Sequence, residues 1–226
     1  MNQQEREKIL DEEEKRIQET VSNIKHRIAV FSGKGGVGKT TVSVNLAMGF
    51  QFEGFTTGIL DADITGPNVP KMLGIDSDLI VLDSKMIPFE RFGVKVISMA
   101  SLVKNGQALI WRGPMRSKVI NQFLADAERA INMAKKLEIP FIGVIENMSG
   151  FVCPHCSAVV ELFGSGGGKK LADDYNIPFL GSIPIDIDAR ICSDNGKPIV
   201  AGKPDCEVST SFKVIANLID GHYRKE

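Results

Sequence analysis

The sequence predicts an α/β domain in three layers, a mainly parallel sheet between helices. Three observations predict it. Short apolar runs alternate with segments whose apolar residues recur at helical spacing. One of these junctions is a glycine-rich turn between a buried run and a helix. The 226 residues are 43% hydrophobic and 24% charged, which is ordinary globular composition and enough apolar material for a sizeable core.

Taken in order, residues 1–25 read as a charged helical extension and residues 26–226 as the domain. The extension carries mixed-sign charges at three- and four-residue spacing with sparse apolar positions. Ile28 to Phe31 is a short apolar run, read as the first strand, and Thr41 to Phe52 as the helix that follows it. Thr57 to Asp61, Val94 to Met99, Phe141 to Ile145 and Phe179 to Ile183 read as four further strands, and Phe212 to Ile219 as a closing C-terminal helix. Buried strands that alternate with helices imply a sheet covered on both faces.

Lys and Arg number 27 against 28 Asp and Glu, a formal net charge of −1, and no basic patch stands out, so nucleic acid is not an expected partner. No run approaches the roughly 18 uninterrupted apolar residues of a membrane span. The N-terminus is too acidic for a targeting segment, and the C-terminal stretch too weakly basic for interfacial anchoring. The expected location is cytoplasmic, with no membrane partner. Four cysteines, two of them in Cys153-Pro154-His155-Cys156, argue for metal or redox chemistry rather than a disulfide framework.

Gly33-Lys34-Gly35-Gly36-Val37-Gly38-Lys39-Thr40 satisfies G-x-x-x-x-G-K-[ST] between a strand and a helix. The glycines allow backbone N–H groups to surround phosphate oxygens, and the helix N-terminus adds a favourable dipole. Lys39 supplies charge to the β- and γ-phosphates, and the Thr40 hydroxyl can ligate Mg²⁺. The loop with Lys34 and Thr41 included resembles the deviant Walker A loop of the MinD/ParA/ArsA-like ATPases. That resemblance implies a P-loop NTPase fold, ATP or ADP as ligand, and a homodimer in which Lys34 reaches the partner's nucleotide.

Asp61 and Asp63 end the second strand, at the edge where open α/β sheets bind ligands. One residue apart, they point oppositely if the strand continues. In the resembling ATPases the position of Asp63 belongs to the switch that places the attacking water, so Lys34, Lys39 and Asp63 are the expected catalytic residues.

Cys153 and Cys156 can chelate a soft metal, but zinc or an iron–sulfur cluster needs four ligands, and Cys192 and Cys206 lie in unrelated contexts. A symmetric dimer with a ligand on its axis supplies four. A structural zinc at that interface stays open beside a cluster.

Gly33 to Thr41, Asp61 to Pro70, Trp111 to Met115, Glu146 to Ser149, Cys153 to Cys156 and Ile183 to Asp186 together closely resemble the Mrp/Nbp35 family of iron–sulfur cluster carrier ATPases, in its prokaryotic type. The resemblance spans roughly residues 25 to 220. It implies a slow ATPase whose homodimer binds a [4Fe–4S] cluster through Cys153 and Cys156 of both chains. The cluster would pass to apo iron–sulfur proteins, with cluster assembly factors as further partners. Asn147 matches the residue expected to read the adenine edge, and Pro184 the loop that packs on the base. The alternative is a non-hydrolysing interaction module of the MinD/ParA type, a dimer stabilised by nucleotide or zinc.

The chain departs from the family pattern at one place. After the Trp-Arg-Gly-Pro helix the family has a buried strand ending in an Asp-x-Pro-Pro-Gly-Thr-x-Asp loop, then a helix and another strand. Here Asn121 to Asp126 runs directly into Ala127 to Lys136, and helical spacing continues from Val119 to Leu137. The resemblance assigns the missing aspartate to the Mg²⁺ shell and the missing strands to the sheet interior near the phosphate loop. Their loss would leave apolar faces and backbone groups to be satisfied some other way.

Overall fold

A computed structural model describes residues 15, 19, 22–32, 34–61, 68–76, 80–82, 85–98, 128 and 130–224. Gly33, Asp63, most of the N-terminal extension, Trp111 to Met115 and the 126/127 junction lie outside the described residues.

The core is built on two helices. Helix α1 (Lys39–Phe52) buries Val42, Val44, Leu46, Ala47 and Met48, residues distributed around most of its circumference, as a central helix requires. It packs against the C-terminal helix α7 (Glu207–Tyr223), whose Val208, Phe212, Ile215, Ala216 and Ile219 recur at three- and four-residue spacing on one buried face. Gly49 makes the crossing close: a Cβ there would stand 3.3 Å from the Phe212 carbonyl oxygen. Asn45 is fully buried between these elements and satisfied. Its Nδ2 donates to the Thr41 carbonyl at 3.0 Å and its Oδ1 accepts from the Val200 N–H at 3.3 Å.

The strands form separate groups. Strands β1 (Thr57–Asp61) and β5 (Val94–Ser98) are parallel, with β4 (Phe89–Arg91) antiparallel on the far side of β5. Strands β6 (Val144–Val152) and β8 (Phe179–Ile185) are parallel, with β7 (Val159–Val160) antiparallel on β6. A small hairpin, β2 (Ile80–Leu82) with β3 (Lys85–Ile87), stands apart. The remaining helices are α2 (Val69–Met72), α3 (130–136), α4 (Gly167–Tyr175), α5 (Ile187–Asp194) and α6 (Ile199–Gly202). The predicted α/β class, the four later strands and the C-terminal helix are all present. Among the described residues no helix is long and apolar enough to cross a membrane.

Two expectations fail, for one physical reason. Ile28 to Phe31 is not a strand: residues 26–32 carry neither helix nor strand, and Ile28 and Phe31 are 43% and 44% exposed. Cover on both faces is also incomplete. In β5 Val94, Val96 and Ser98 are buried while Lys95 is exposed, and Leu60 of β1 is 74% exposed. An interior strand is held by ladder bonds on both sides. Among the described residues the two parallel pairs are not joined to each other, and the sequence lacks the strands that the resemblance places beside the phosphate-loop segment.

Candidate functional site

The phosphate loop turns on left-handed glycines. Gly36 (φ 78°) and Gly38 (φ 85°) adopt a conformation that costs a side chain about 1–2 kcal/mol, and Gly38 caps α1 so that Lys39, Thr40 and Thr41 form the helix's first turn. The free N–H groups of that turn and its dipole face the loop. Lys39 Nζ lies 3.5 Å from the Lys34 carbonyl, and the Ser32 hydroxyl donates to the same carbonyl at 2.6 Å. Lys34, Val37, Lys39, Thr40 and Thr41 are half-buried, while Gly35 and Gly36 are exposed. The loop is therefore open toward a ligand and backed by protein.

Asp61 ends β1 and is 8% exposed. Parallel pairing sets it opposite Ser98, whose hydroxyl donates to Asp61 Oδ2 at 2.9 Å. Ser98 is a participant that sequence reading missed. The signal was available, since Ser98 continues the Val94, Val96 alternation and so had to be buried.

Asn147 and Pro184 come together on neighbouring strands. Asn147 of β6 pairs with Ile183 of β8, and the next pair is Phe151 with Ile185. Three residues, Met148 to Gly150, thus oppose Pro184 alone, which lacks the N–H a regular ladder needs. The result is a bulge with Met148 (φ 60°) and Gly150 (φ 80°) both left-handed. Glu146 to Ser149, read from sequence as following the strand's end, lies inside β6. Asn147 Nδ2 donates to the Val37 carbonyl at 3.0 Å, and a Cβ on Gly38 would stand 2.3 Å from that Nδ2.

Cys153 and Cys156 occupy the tip of the hairpin that β6 makes with β7. The Cys153 N–H donates to the Ala158 carbonyl at 3.0 Å and the Ser157 N–H to the Cys153 carbonyl at 2.9 Å, which closes a tight turn. The His155 backbone N–H, then that of Cys156, then the Cys156 side chain donate to Cys153 Sγ and hold its thiol below the ordinary value of 9.0. Cys156 is exposed and Cys153 half-buried, both as free thiols. Among the described residues no group of three or more His, Cys, Asp or Glu converges as a metal site, so this pair is the candidate.

The other cysteines are structural. Cys192 packs against Gly202, and burial pushes its thiol up. Cys206 caps α7, its sulfur accepting from the Ser209 N–H at 3.4 Å.

A glycine-rich anion loop at the start of a buried helix, in an α/β fold with parallel strand pairs, defines a P-loop NTPase. The model of the ParA-type family described as NUBPL iron-transfer P-loop NTPase matches residues 23–128 and again 124–220, and the chain belongs to that family. The two matches meet at the junction where the sequence departs from the pattern. An iron–sulfur cluster carrier protein of Methanococcus maripaludis is 38% identical over 269 positions, covering 97% of this chain and 92% of the relative. That alignment exceeds the chain's 226 residues by 43, so at least that many residues of the relative have no counterpart here. A carrier of the same description from Methanocaldococcus jannaschii is 40% identical over 94% of this chain and 90% of its own length. Among solved structures, a nucleotide-binding protein from Archaeoglobus fulgidus in complex with ADP superposes with a TM-score of 0.68 at 30% identity, covering 85% of this chain and 93% of that one. The MinD protein of Pyrococcus horikoshii, with a TM-score of 0.59 at 20% identity over 84% of this chain and 93% of its own, shares the fold.

Proposed function

We infer that this chain is an ATP-binding, slowly ATP-hydrolysing carrier. Its cargo is a [4Fe–4S] cluster, held between two copies by Cys153 and Cys156 of each and delivered to apo iron–sulfur proteins. The observation that carries this reading is the hairpin tip, where a tight turn closed by the Cys153–Ala158 and Ser157–Cys153 backbone bonds holds two free thiols, Cys153 and Cys156, in one turn, the arrangement that ligates a soft metal as thiolates. One chain offers two such sulfurs and a cluster takes four, so the second copy completes the set. Val159, Val160, Leu162 and Phe163 beside the tip are exposed apolar residues that a second copy would cover. The similarity to proteins described as iron–sulfur cluster carriers supports the same cargo.

In this reading Lys39 and the N–H groups of Gly33 to Thr41 bind the phosphates, Lys34 acts on the partner's nucleotide, and Asp63 orients the attacking water. Thr40, half-buried in the first turn of α1, supplies the hard oxygen that Mg²⁺ prefers, and the ion would neutralise phosphate charge.

Anaerobic reconstitution of the purified chain tests the reading. About four iron and four sulfide per dimer are expected, lost in Cys153→Ala. Zinc alone, or iron and sulfide retained by the Cys153→Ala, Cys156→Ala double variant, would overturn it.

A further inference from the structure

Strand β6 touches both halves of the site. Asn147 grips the Val37 carbonyl, and six residues later the same strand has become the cysteine hairpin. Between them lies the Met148 to Gly150 bulge, in which a methionine is held in the left-handed region that favours glycine. A left-handed residue between two functional groups marks a segment whose shape is imposed by its neighbours.

The carbonyl that Asn147 holds belongs to the same rigid peptide unit as the Gly38 N–H. A trans peptide directs its C=O and N–H in opposite senses. An amide that fixes the Val37 carbonyl therefore also fixes the direction of the Gly38 N–H, one of the groups a phosphate recruits. A phosphate that reorients that peptide pulls on Asn147 in turn. The near contact leaves little slack, because the amide stands 2.3 Å from where a Gly38 Cβ would be.

We propose that Asn147 is a positioning residue that couples the phosphate loop to the cysteine hairpin: its bond to the Val37 carbonyl sets the shape of the Met148–Gly150 bulge and hence the placement of Cys153 and Cys156. The proposal rests on the carrier reading for its biological use, but its test needs no cluster.

The test measures anaerobic alkylation of Cys153 and Cys156 by iodoacetamide, followed by mass spectrometry on the full apo chain. It is run with no nucleotide, with saturating Mg-ATPγS and with saturating Mg-tripolyphosphate. In the wild type both polyphosphates are expected to change the rate at one or both cysteines by about fivefold or more, the low end of an allosteric coupling. In Asn147→Ala the rates with and without polyphosphate converge even at saturation, which separates coupling from any loss of affinity. Asn147→Asp keeps the volume but sets an oxygen against the Val37 carbonyl, and gives the same convergence should the alanine variant not fold. A wild type with no response, a full response in either variant, or a response that requires adenine would overturn the proposal. A failed cluster reconstitution beside a normal alkylation response would instead sink the carrier reading alone.

Discussion

The Ser98 hydroxyl donates to Asp61 Oδ2 at 2.9 Å because parallel pairing sets those two residues opposite each other at the C-terminal ends of β5 and β1. Both are buried, so this bond is made away from water. Ser98→Ala takes a donor from a buried carboxyl and should cost about 1–3 kcal/mol. Urea unfolding measures it, and a change below a few tenths would show that the bond is not retained in solution.

Cys153 and Cys192 should separate by pH. Hydrogen bonds from the His155 and Cys156 backbones favour the Cys153 thiolate, so its folded-state titration lies below the ordinary 9.0. Its alkylation should rise to half-maximum below that pH, and the contribution of its thiolate to folding should be lost as pH falls through the lowered value. Cys156→Ala removes one donor and should move the Cys153 midpoint partway back up. Cys192, pushed the other way by burial, should react at higher pH than Cys153. Mass spectrometry across a pH series reads both.

Gly38→Ala should cost at least the roughly 1–2 kcal/mol of a left-handed alanine, and its methyl would collide with the Asn147 amide. Thermal unfolding is expected to show a lower Tm and no stabilisation by Mg-ADP.

Lys39→Ala should fold normally, since the lysine contributes a 3.5 Å contact to the Lys34 carbonyl rather than a buried interaction. The wild type should gain about 2.7 kcal/mol at a nucleotide concentration of 100 Kd. An equal gain in the variant would remove Lys39 from the phosphate site.

The open face of β1 predicts an asymmetry. Leu60→Thr, at a position 74% exposed, should change stability by no more than about 0.5 kcal/mol. Met48→Ala, at a position 1% exposed in α1, should cost about 2–5 kcal/mol. A large loss at Leu60 would mean that its face is covered in solution.

The sequence by itself determined what local chemistry controls. A strand–glycine loop–helix spacing marked Gly33 to Thr41 because left-handed turns need glycine and phosphates need N–H groups. A run ending in Met99 marked β5, and two thiols at one spacing marked Cys153 and Cys156. The departure from the family pattern was legible too, and it falls where the two family-model matches meet. Tertiary structure alone decided what depends on partners distant in the chain. Ile28 to Phe31 has the composition of a buried strand, yet a strand exists only through ladder bonds to its neighbours, and among the described residues it has none. Asn147 had a role implied by resemblance, but its bond to Val37, 110 residues away, is made only because the chain's packing brings β6 against the phosphate loop. Propensity and spacing act within a few residues, whereas register, burial and a shared peptide plane are set by the packing of the whole chain.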